Sequence, residues 1–255
     1  MDSYVEKCLS GIPGHIGFYY KDLSTGETQS FQDQACFEAA SIIKLPILAA
    51  VFYLAENSPD LLSRPVTIPD ADKVPGCGAL QHVTGTQTYD ILTLCKLMIT
   101  ISDNTATNAL IRLFGIDALN DVFHAIGLKQ TRLNRLLFDA EAAALGKENL
   151  FQLQECCLLL ERLYNGTCVS PAASEQMLTI LKQQQINHKI PAQFPSGAIV
   201  AHKTGEDIGI TNDIGIVYAK NPFIIGFASN HTDVFAFEQA IHNISLHFWK
   251  RGSNL

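Results

Sequence analysis

Residues 37–46 read Phe-Glu-Ala-Ala-Ser-Ile-Ile-Lys-Leu-Pro, and they open a helical pattern of apolar residues that continues to Glu56. Ser41 and Lys44 are three positions apart, so a helix places the lysine amine beside the serine hydroxyl. A serine hydroxyl is a weak nucleophile until a neighbouring base takes its proton, and a partly desolvated lysine can act as that base. The spacing therefore predicts a nucleophile at Ser41 with Lys44 as its base.

Patterns typical of helices occupy the middle of the chain, and patterns typical of strands occupy both ends. The helical patterns cover residues 42–56, 89–100, 105–114, 118–126, 150–164 and 174–183, with a last helix at 234–249. The strand patterns cover residues 15–20, 27–31, 198–203, 214–219 and 223–228. Because strands from the two ends can pair in one sheet, we predict an α/β plus all-α fold: an antiparallel sheet of about five strands, flanked by terminal helices, with an inserted helical domain.

This pattern predicts two domains. Residues 1–35 and 185–255 are expected to form a discontinuous α/β domain, and residues 36–184 an all-α domain. Because clefts between two lobes commonly hold active sites, we expect the site at the junction of these domains.

A second motif, Ser102-Asp103-Asn104, falls between two helical patterns. Ser102 can pass a proton to a leaving nitrogen, and the Asn104 amide can hold a substrate carbonyl or Lys44. These residue types therefore complement the chemistry predicted at Ser41.

A third motif, Lys203-Thr204-Gly205, follows a strand pattern. Its lysine and threonine offer a positive charge and a hydroxyl to a substrate carboxylate, and its glycine permits close approach of another backbone. The backbone N–H groups of Ser41 and Glu206 are the candidate donors to an oxyanion. In a chain of this composition, the three motifs coincide by chance on the order of once in a thousand.

The motifs and their surroundings resemble class A β-lactamases, a family of penicillin-recognising serine hydrolases. Residues 37–46 resemble the nucleophile helix of that family, residues 95–108 its central helix and loop, and residues 131–135 the start of its omega loop. The resemblance spans roughly residues 18–249. It implies attack on β-lactam amides through an acyl-enzyme, with Ser41, Lys44 and Ser102 as catalytic residues and with substrate bound by Asn104, Lys203, Thr204, Gly205 and Glu206.

The sequence departs from the family at the omega loop. The family carries a glutamate shortly after the residue that matches Arg135, and this glutamate activates the water that hydrolyses the acyl-enzyme. Residues 136–138 are Leu, Leu and Phe. Asp139 or Glu141 could replace that base, and Glu141 is preferred because its side chain reaches further.

A second departure concerns the arginine that often helps class A enzymes bind the substrate carboxylate. No arginine follows Lys203 except Arg251, so Lys203 and Thr204 are expected to hold that carboxylate alone. The two departures together predict an enzyme that acylates more readily than it deacylates. Two alternatives stay open: a peptidase or esterase acting on D-amino-acid peptides, and a sensor that penicillin acylates once.

The composition and charge of the chain limit the kinds of partner and the location that we expect for it. A formal net charge of −7 without a basic cluster disfavours nucleic acid, and no apolar run is long enough to span a membrane. We expect a monomer that needs no metal or cofactor and acts on a small β-lactam or peptide-like molecule. Seven cysteines without framework spacing, and no signal-like pattern after Met1, favour a cytoplasmic location. A secreted or periplasmic location is the alternative if a leader precedes residue 1.

Overall fold

The fold was analysed in a computed structural model, which describes residues 1–253. The helices of this part of the chain are α1 Ser3–Leu9, α2 Lys44–Ala55, α3 Ile91–Thr100, α4 Asn104–Phe114, α5 Ile116–Ala125, α6 Ala140–Ala144, α7 Leu153–Tyr164, α8 Pro171–Leu181 and α9 Val234–Ser253. The strands are β1 His15–Asp22, β2 Thr28–Phe31, β3 Cys36–Glu38, β4 Pro65–Ile68, β5 Gln87–Asp90, β6 Leu150–Gln152, β7 Val200–Asp207, β8 Ile210–Val217 and β9 Phe223–Asn230.

Five strands form one antiparallel sheet in the order β2-β1-β9-β8-β7. The pairing of β1 with β9, in which Phe18 lies opposite Phe227, joins the two ends of the chain. The segment between β2 and β7 carries helices α2 to α8. The predicted fold, a five-stranded antiparallel sheet with terminal helices and a helical insertion, is therefore confirmed.

Both faces of the sheet are covered, which explains why β8 and β9 are buried at every residue. Adjacent residues of β1 point to opposite faces, as expected for a strand. Phe18 and Tyr20 pack into a core shared with α1 and α9, whereas Tyr19 packs into a larger core shared with the helical insertion. Helix α2 runs through this larger core and is buried from Lys44 to Phe52.

The segment predicted to be all-α also contains two small sheets, so that expectation is wrong in this respect. Strand β3 pairs with β6, and β4 pairs with β5. These strands have three or four residues each, too few for alternation of apolar and polar residues to be recognised. The predicted helices 89–100 and 150–164 therefore begin later, and the side chain of Asp90 caps α3 by accepting a hydrogen bond from the N–H of Thr93.

Helices α1 and α6 were not predicted, since each is shorter than the window in which helical periodicity can be read. Asn254 and Leu255, the last residues of the predicted α/β domain, lie outside the described residues. Over residues 1–253, no helix combines the length and the hydropathy needed to cross a membrane.

Candidate active site

Ser41 lies in a 3₁₀ turn, Ala40–Ile43, that leads directly into α2. Ala40 has a φ of 42°, in the left-handed region that residues other than glycine seldom adopt. Strand β7 passes beside this turn at Gly205. A Cβ atom at Gly205 would lie 3.0 Å from the carbonyl oxygen of Ala39 and 3.2 Å from the nitrogen of Ile42. Glycine therefore lets the sheet approach the nucleophile turn closely.

The amine of Lys44 is the centre of the site. Its Nζ lies 2.9 Å from the Oγ of Ser41, 2.9 Å from the Oγ of Ser102, 2.7 Å from the carbonyl oxygen of Ser102 and 2.7 Å from the Oδ1 of Asn104. The amide of Asn104 is oriented by its Nδ2, which donates to the carbonyl of Pro75 at 3.0 Å. Two of the four neighbours are thus acceptors only, and two are hydroxyls that can also donate.

Lys44 is suited to act as a base. Complete burial, reinforced by the positive charge of Lys203, lowers the pKa of Lys44 well below its usual range, against weaker opposing effects of Cys77 and Asp103. A neutral amine has two N–H donors and one lone pair. The donors match the two carbonyl-type oxygens around Nζ, which leaves the lone pair for a hydroxyl proton. Ser41 carries one of the two hydroxyls within reach.

Ser102 faces Lys44 because the backbone turns sharply there. Its φ of 55° brings both its carbonyl oxygen and its hydroxyl to the lysine amine. The next residue, Asp103, is buried and caps α4 by accepting from the N–H of Ala106 at 2.8 Å. Its other carboxylate oxygen accepts from the N–H of Leu80 at 2.9 Å, which ties the loop before Leu80 to this turn.

Lys203 lies behind Ser102. Its Nζ donates to the Oγ of Ser102 at 3.1 Å and to the carbonyl of Thr204 at 2.9 Å. Burial lowers the pKa of Lys203 to about 7, with Asp213 opposing this shift and Lys189 adding to it. The hydroxyl of Ser102 therefore connects two buried amines, both of which lose their charge more readily than an exposed lysine does.

Lys189 is a third buried amine that the sequence analysis missed. Its Nζ donates to the carbonyls of Gly205 and Asn212 at 3.2 and 3.3 Å and pairs with the Glu206 carboxylate at 3.1 Å. Although burial acts to raise the pKa of Glu206, the charge of Lys189 holds it below its usual value. No motif surrounds Lys189 in the sequence, and only the packing of the segment before β7 against the sheet brings it to the site.

A cavity of about 630 Å³ opens in front of Ser41. This volume is in the range of small-molecule binding sites. One side is formed by the residues around Ser41 and Asn104, the second by the segment 135–149, and the third by the β7–β8 hairpin. The lining residues are Glu38, Ala40, Ser41, Gly76, Cys77, Asn104, Arg135, Leu137, Phe138, Asp139, Ala140, Ala143, Glu148, Asn149, Glu206, Asp207, Ile208 and Ile210.

The loop that forms the second side is held by Asn108, one helical turn after Asn104 on α4. The Nδ2 of Asn108 donates to the carbonyl of Leu137 at 2.9 Å, and its Oδ1 accepts from the N–H of Leu137 at 2.8 Å. Leu137 therefore faces the cavity from a fixed backbone. The spacing of Asn104 and Asn108, which puts both on one helical face, is the signal that could have identified Asn108.

Neither predicted base is free in front of Ser41. Glu141 is exposed on α6 and is absent from the cavity lining, so its placement argues against the expected role. A short helix forms where a loop was expected, and it carries Glu141 to the solvent side. Asp139 does line the cavity, but its Oδ1 caps α6 by accepting from the N–H of Ala142 at 2.9 Å.

The structure brings most of the other predicted residues together. Ser41, Lys44, Ser102, Asn104 and Lys203 form one continuous set of hydrogen bonds. Glu206 lines the cavity beside Ser41, as the expected pair of oxyanion donors requires. Thr204, in contrast, is buried and does not line the cavity.

Within residues 1–253, no group of three or more His, Cys, Asp and Glu side chains is arranged to hold a metal ion. All seven cysteines are free thiols, and Cys77 lines the cavity.

Comparison with known proteins extends the match to the whole chain. The model of the Beta-lactamase enzyme family matches residues 1–251. A β-lactamase of Proteus vulgaris is 26% identical in an alignment of 226 positions that covers 82% of this chain and 70% of that protein. The β-lactamase ROB-1 of Haemophilus influenzae is 28% identical over 84% of this chain and 71% of its own length.

Solved structures show the same fold. A β-lactamase from Sphaerobacter thermophilus superposes with a TM-score of 0.87 at 29% identity, covering 99% of this chain and 97% of that one. A variant of PBP-A, solved as its acyl-enzyme complex with penicillin G, also has a TM-score of 0.87, at 30% identity over 99% of this chain and 96% of that one.

Proposed function

The chain belongs to the Beta-lactamase enzyme family, and on this basis we propose that it cleaves β-lactam amides through an acyl-enzyme at Ser41 and releases the acyl group slowly. The observation that carries the proposal is the position of Lys44. Its buried amine lies 2.9 Å from the Ser41 hydroxyl, and its two N–H donors have carbonyl-type partners in Ser102 and Asn104.

Acylation follows from this geometry. Lys44 takes the proton of the Ser41 hydroxyl as Oγ attacks the lactam carbonyl carbon. Negative charge develops on the carbonyl oxygen, for which the amides of Ser41 and Glu206 are the proposed donors. When the C–N bond breaks, the nitrogen needs a proton, and Ser102 can pass one on because its Oγ lies 2.9 Å from the Nζ of Lys44. The product is a single ring-opened acyl-enzyme, which carries the ester on Ser41 and keeps the freed amine in the same molecule.

The loop on the opposite side of the cavity supports slow release. Hydrolysis of the ester requires a base that takes a proton from an attacking water. Leu137 occupies the wall of the cavity, and Asp139 is engaged in capping α6. Leu137 has no carboxylate, and the Asp139 carboxylate is oriented by its hydrogen bond to the N–H of Ala142, so we expect this loop to activate the attacking water poorly.

The test is a time course with a chromogenic cephalosporin in several-fold molar excess over the protein, with intact-protein mass spectrometry on the same samples. We expect a burst of one equivalent, a mass adduct on the protein and a slow steady state. Ser41→Ala should lose the burst and the adduct while keeping the same unfolding temperature. Absence of both turnover and an adduct on the unaltered protein would refute β-lactam chemistry at Ser41, whereas sustained turnover without an adduct, lost in Ser41→Ala, would refute only the slow release.

Replacement of Lys44 tests its assignment as the base that activates Ser41. Lys44→Ala is expected to slow adduct formation by about 10³-fold, within the range for loss of a general base. Lys96→Ala, which removes an exposed lysine of α3, serves as the matched control and should acylate normally. Equal rates in the two variants would contradict the role of Lys44.

The hydrocarbon side chain of Leu137, where a carboxylate would face the cavity, also favours a second candidate, a penicillin-binding protein that is acylated once. The structure of a PBP-A variant as its acyl-enzyme complex with penicillin G is a precedent for a penicillin adduct on this fold. A burst with no detectable steady state favours this candidate over slow hydrolysis. Turnover of D-amino-acid peptides or small esters, with β-lactams acting only as inhibitors, would instead indicate the peptidase or esterase alternative.

A further inference from the structure

The cavity lies on the acyl side of any amide that reacts with Ser41, if the proposed function holds. Ser102, the proposed donor to the leaving nitrogen, and Lys203 behind it do not line the cavity. From Ser41 the cavity extends the other way, towards segment 135–149 and the β7–β8 hairpin. The leaving group therefore lies near Ser102, and the group attached to the attacked carbonyl projects into the cavity.

The charged residues lining this space are mostly acidic: Glu38, Asp139, Glu148, Glu206 and Asp207, against Arg135 alone. Two of these acids are compensated. The Nη2 of Arg135 pairs with Glu148 at 2.6 Å, and Lys189 pairs with Glu206 at 3.1 Å. The carboxylates of the other three have no basic partner among residues 1–253.

The backbone of Glu38 is held on both sides by asparagine side chains. Its N–H donates to the Oδ1 of Asn230 at 3.1 Å, and its carbonyl accepts from the Nδ2 of Asn212 at 3.2 Å. The side chain therefore projects from a backbone clamped by two buried asparagines, three residues before Ser41. Within the described chain its carboxylate accepts no hydrogen bond. It is available to a ligand.

The amines around Ser41 supply little compensating charge. Lys44 is held towards its neutral form, and Lys203 has a pKa of about 7. Arg135 is already committed, since both its Nε and its Nη2 donate to Glu148. The acyl side of the cavity thus carries an excess of negative charge around a site that must attract its substrate.

Apolar side chains form the outer wall. Phe138 is 54% exposed and Ile208 is 96% exposed, and they approach the cavity from the loop and from the hairpin respectively. Leu137 and Ile210 continue this wall inwards. Exposed apolar side chains around a cavity are typical of ligand contact.

We propose that the acyl-side subsite selects amides whose acyl group combines an apolar body with an ammonium group, and that it disfavours acyl groups bearing a carboxylate. The apolar body contacts Phe138 and Ile208, while the ammonium lies near Glu38 and Asp207. This preference rests on the proposed acylation of Ser41 and concerns the group that remains on the serine.

Three penicillins that share one nucleus and one benzyl side chain test the preference. The side chain carries an ammonium group in ampicillin, no charged group in benzylpenicillin and a carboxylate in carbenicillin. The measurement is the second-order rate constant of Ser41 acylation by intact-protein mass spectrometry. About pH 6.5 and low salt are suitable, because an α-amino group is then protonated and surface charges are weakly screened. The expected ratio of ampicillin to carbenicillin is at least about tenfold, as for one favourable and one unfavourable charge contact at a partly exposed site.

The double variant Glu38→Gln, Asp207→Asn should reduce that ratio severalfold, and raising the salt to about 1 M should reduce it in the unaltered protein. Glu175→Gln removes the same type of charge from an exposed position of α8 outside the cavity, and it should leave all three rates unchanged.

Two outcomes separate failure of this inference from failure of the proposed function. If all three penicillins acylate Ser41 at equal rates, or if carbenicillin reacts fastest, the preference is refuted and the acylation chemistry stands. If benzylpenicillin is neither hydrolysed nor attached to Ser41, the proposed function fails and the preference fails with it.

Discussion

Two sides of the cavity around Ser41 are built in opposite ways. On the side of α2 and α4, every polar group has a partner: Lys44 contacts four oxygens, and the hydroxyl of Ser102 links it to Lys203. On the side of segment 135–149, Leu137 and Phe138 present hydrocarbon. The first side links hydroxyls and amines in one hydrogen-bonded chain, whereas Leu137 and Phe138 provide no group that accepts a proton. The contrast suggests that formation and hydrolysis of an acyl-enzyme are governed by different walls of one cavity.

Leu137→Glu tests this contrast most strongly. A carboxylate at this position would be held by the Asn108 hydrogen bonds to the Leu137 backbone and would face the cavity. Hydrolysis of the Ser41 ester is expected to accelerate about 100-fold, the lower end of the range for a general base. The measurement is the decay of the penicillin adduct after excess penicillin is removed. Leu137→Gln has the same shape without basicity, and equal decay rates for the two variants would break the comparison.

The pH dependence of acylation tests whether the charge of Lys203, on the side of the site opposite Leu137, helps to bind the substrate carboxylate. With a pKa of about 7, Lys203 is charged below that pH and neutral above it. Acylation by benzylpenicillin should therefore fall relative to acylation by its methyl ester, by about tenfold, as pH rises from 6 to 8, because only the free acid gains from the charge. Deprotonation of Lys44 affects both compounds alike, so the ratio isolates Lys203. If the ratio of the two acylation rates does not change with pH, the charge of Lys203 does not contribute to binding of the substrate carboxylate.

The smallest expected effect comes from loss of the Asn108 side chain, and it tests whether the position of Leu137, rather than the stability of the protein, affects decay of the adduct. The side chain of Asn120 holds the backbone of Leu133 as Asn108 holds that of Leu137. Its Nδ2 donates to the Leu133 carbonyl at 2.7 Å, and its Oδ1 accepts from the Leu133 N–H at 2.9 Å. Asn108→Ala and Asn120→Ala should each lower the free energy of unfolding by about 1–3 kcal/mol in urea titrations. Only Asn108→Ala is expected to change the decay of the adduct, by a few-fold. Similar kinetic changes in both variants would show that the effect is one of stability alone.

The order of strands and helices was predictable because their periodicities are local. Residues 15–20 and 223–228 are rich in β-branched and aromatic residues, and their assignment to strands β1 and β9 agrees with the structure. The helical assignment of 150–164 failed at its start, where residues 150–152 pair with β3 instead. That pairing involves residues more than 100 positions apart, so no local pattern could reveal it.

Sequence alone identified Ser41 with Lys44 and the second and third motifs. A three-residue spacing within a helix and a contiguous triplet are local features, so they can be recognised without knowledge of the tertiary contacts. Tertiary structure decided how those groups are charged and which others join them. The lowered pKa of Lys44 results from complete burial, which depends on α4 and β7 closing over α2. Lys189 enters the site, and Glu141 leaves it, through packing that no short stretch of sequence encodes. Burial and proximity are properties of the assembled chain, and they determine the proton chemistry of this cavity.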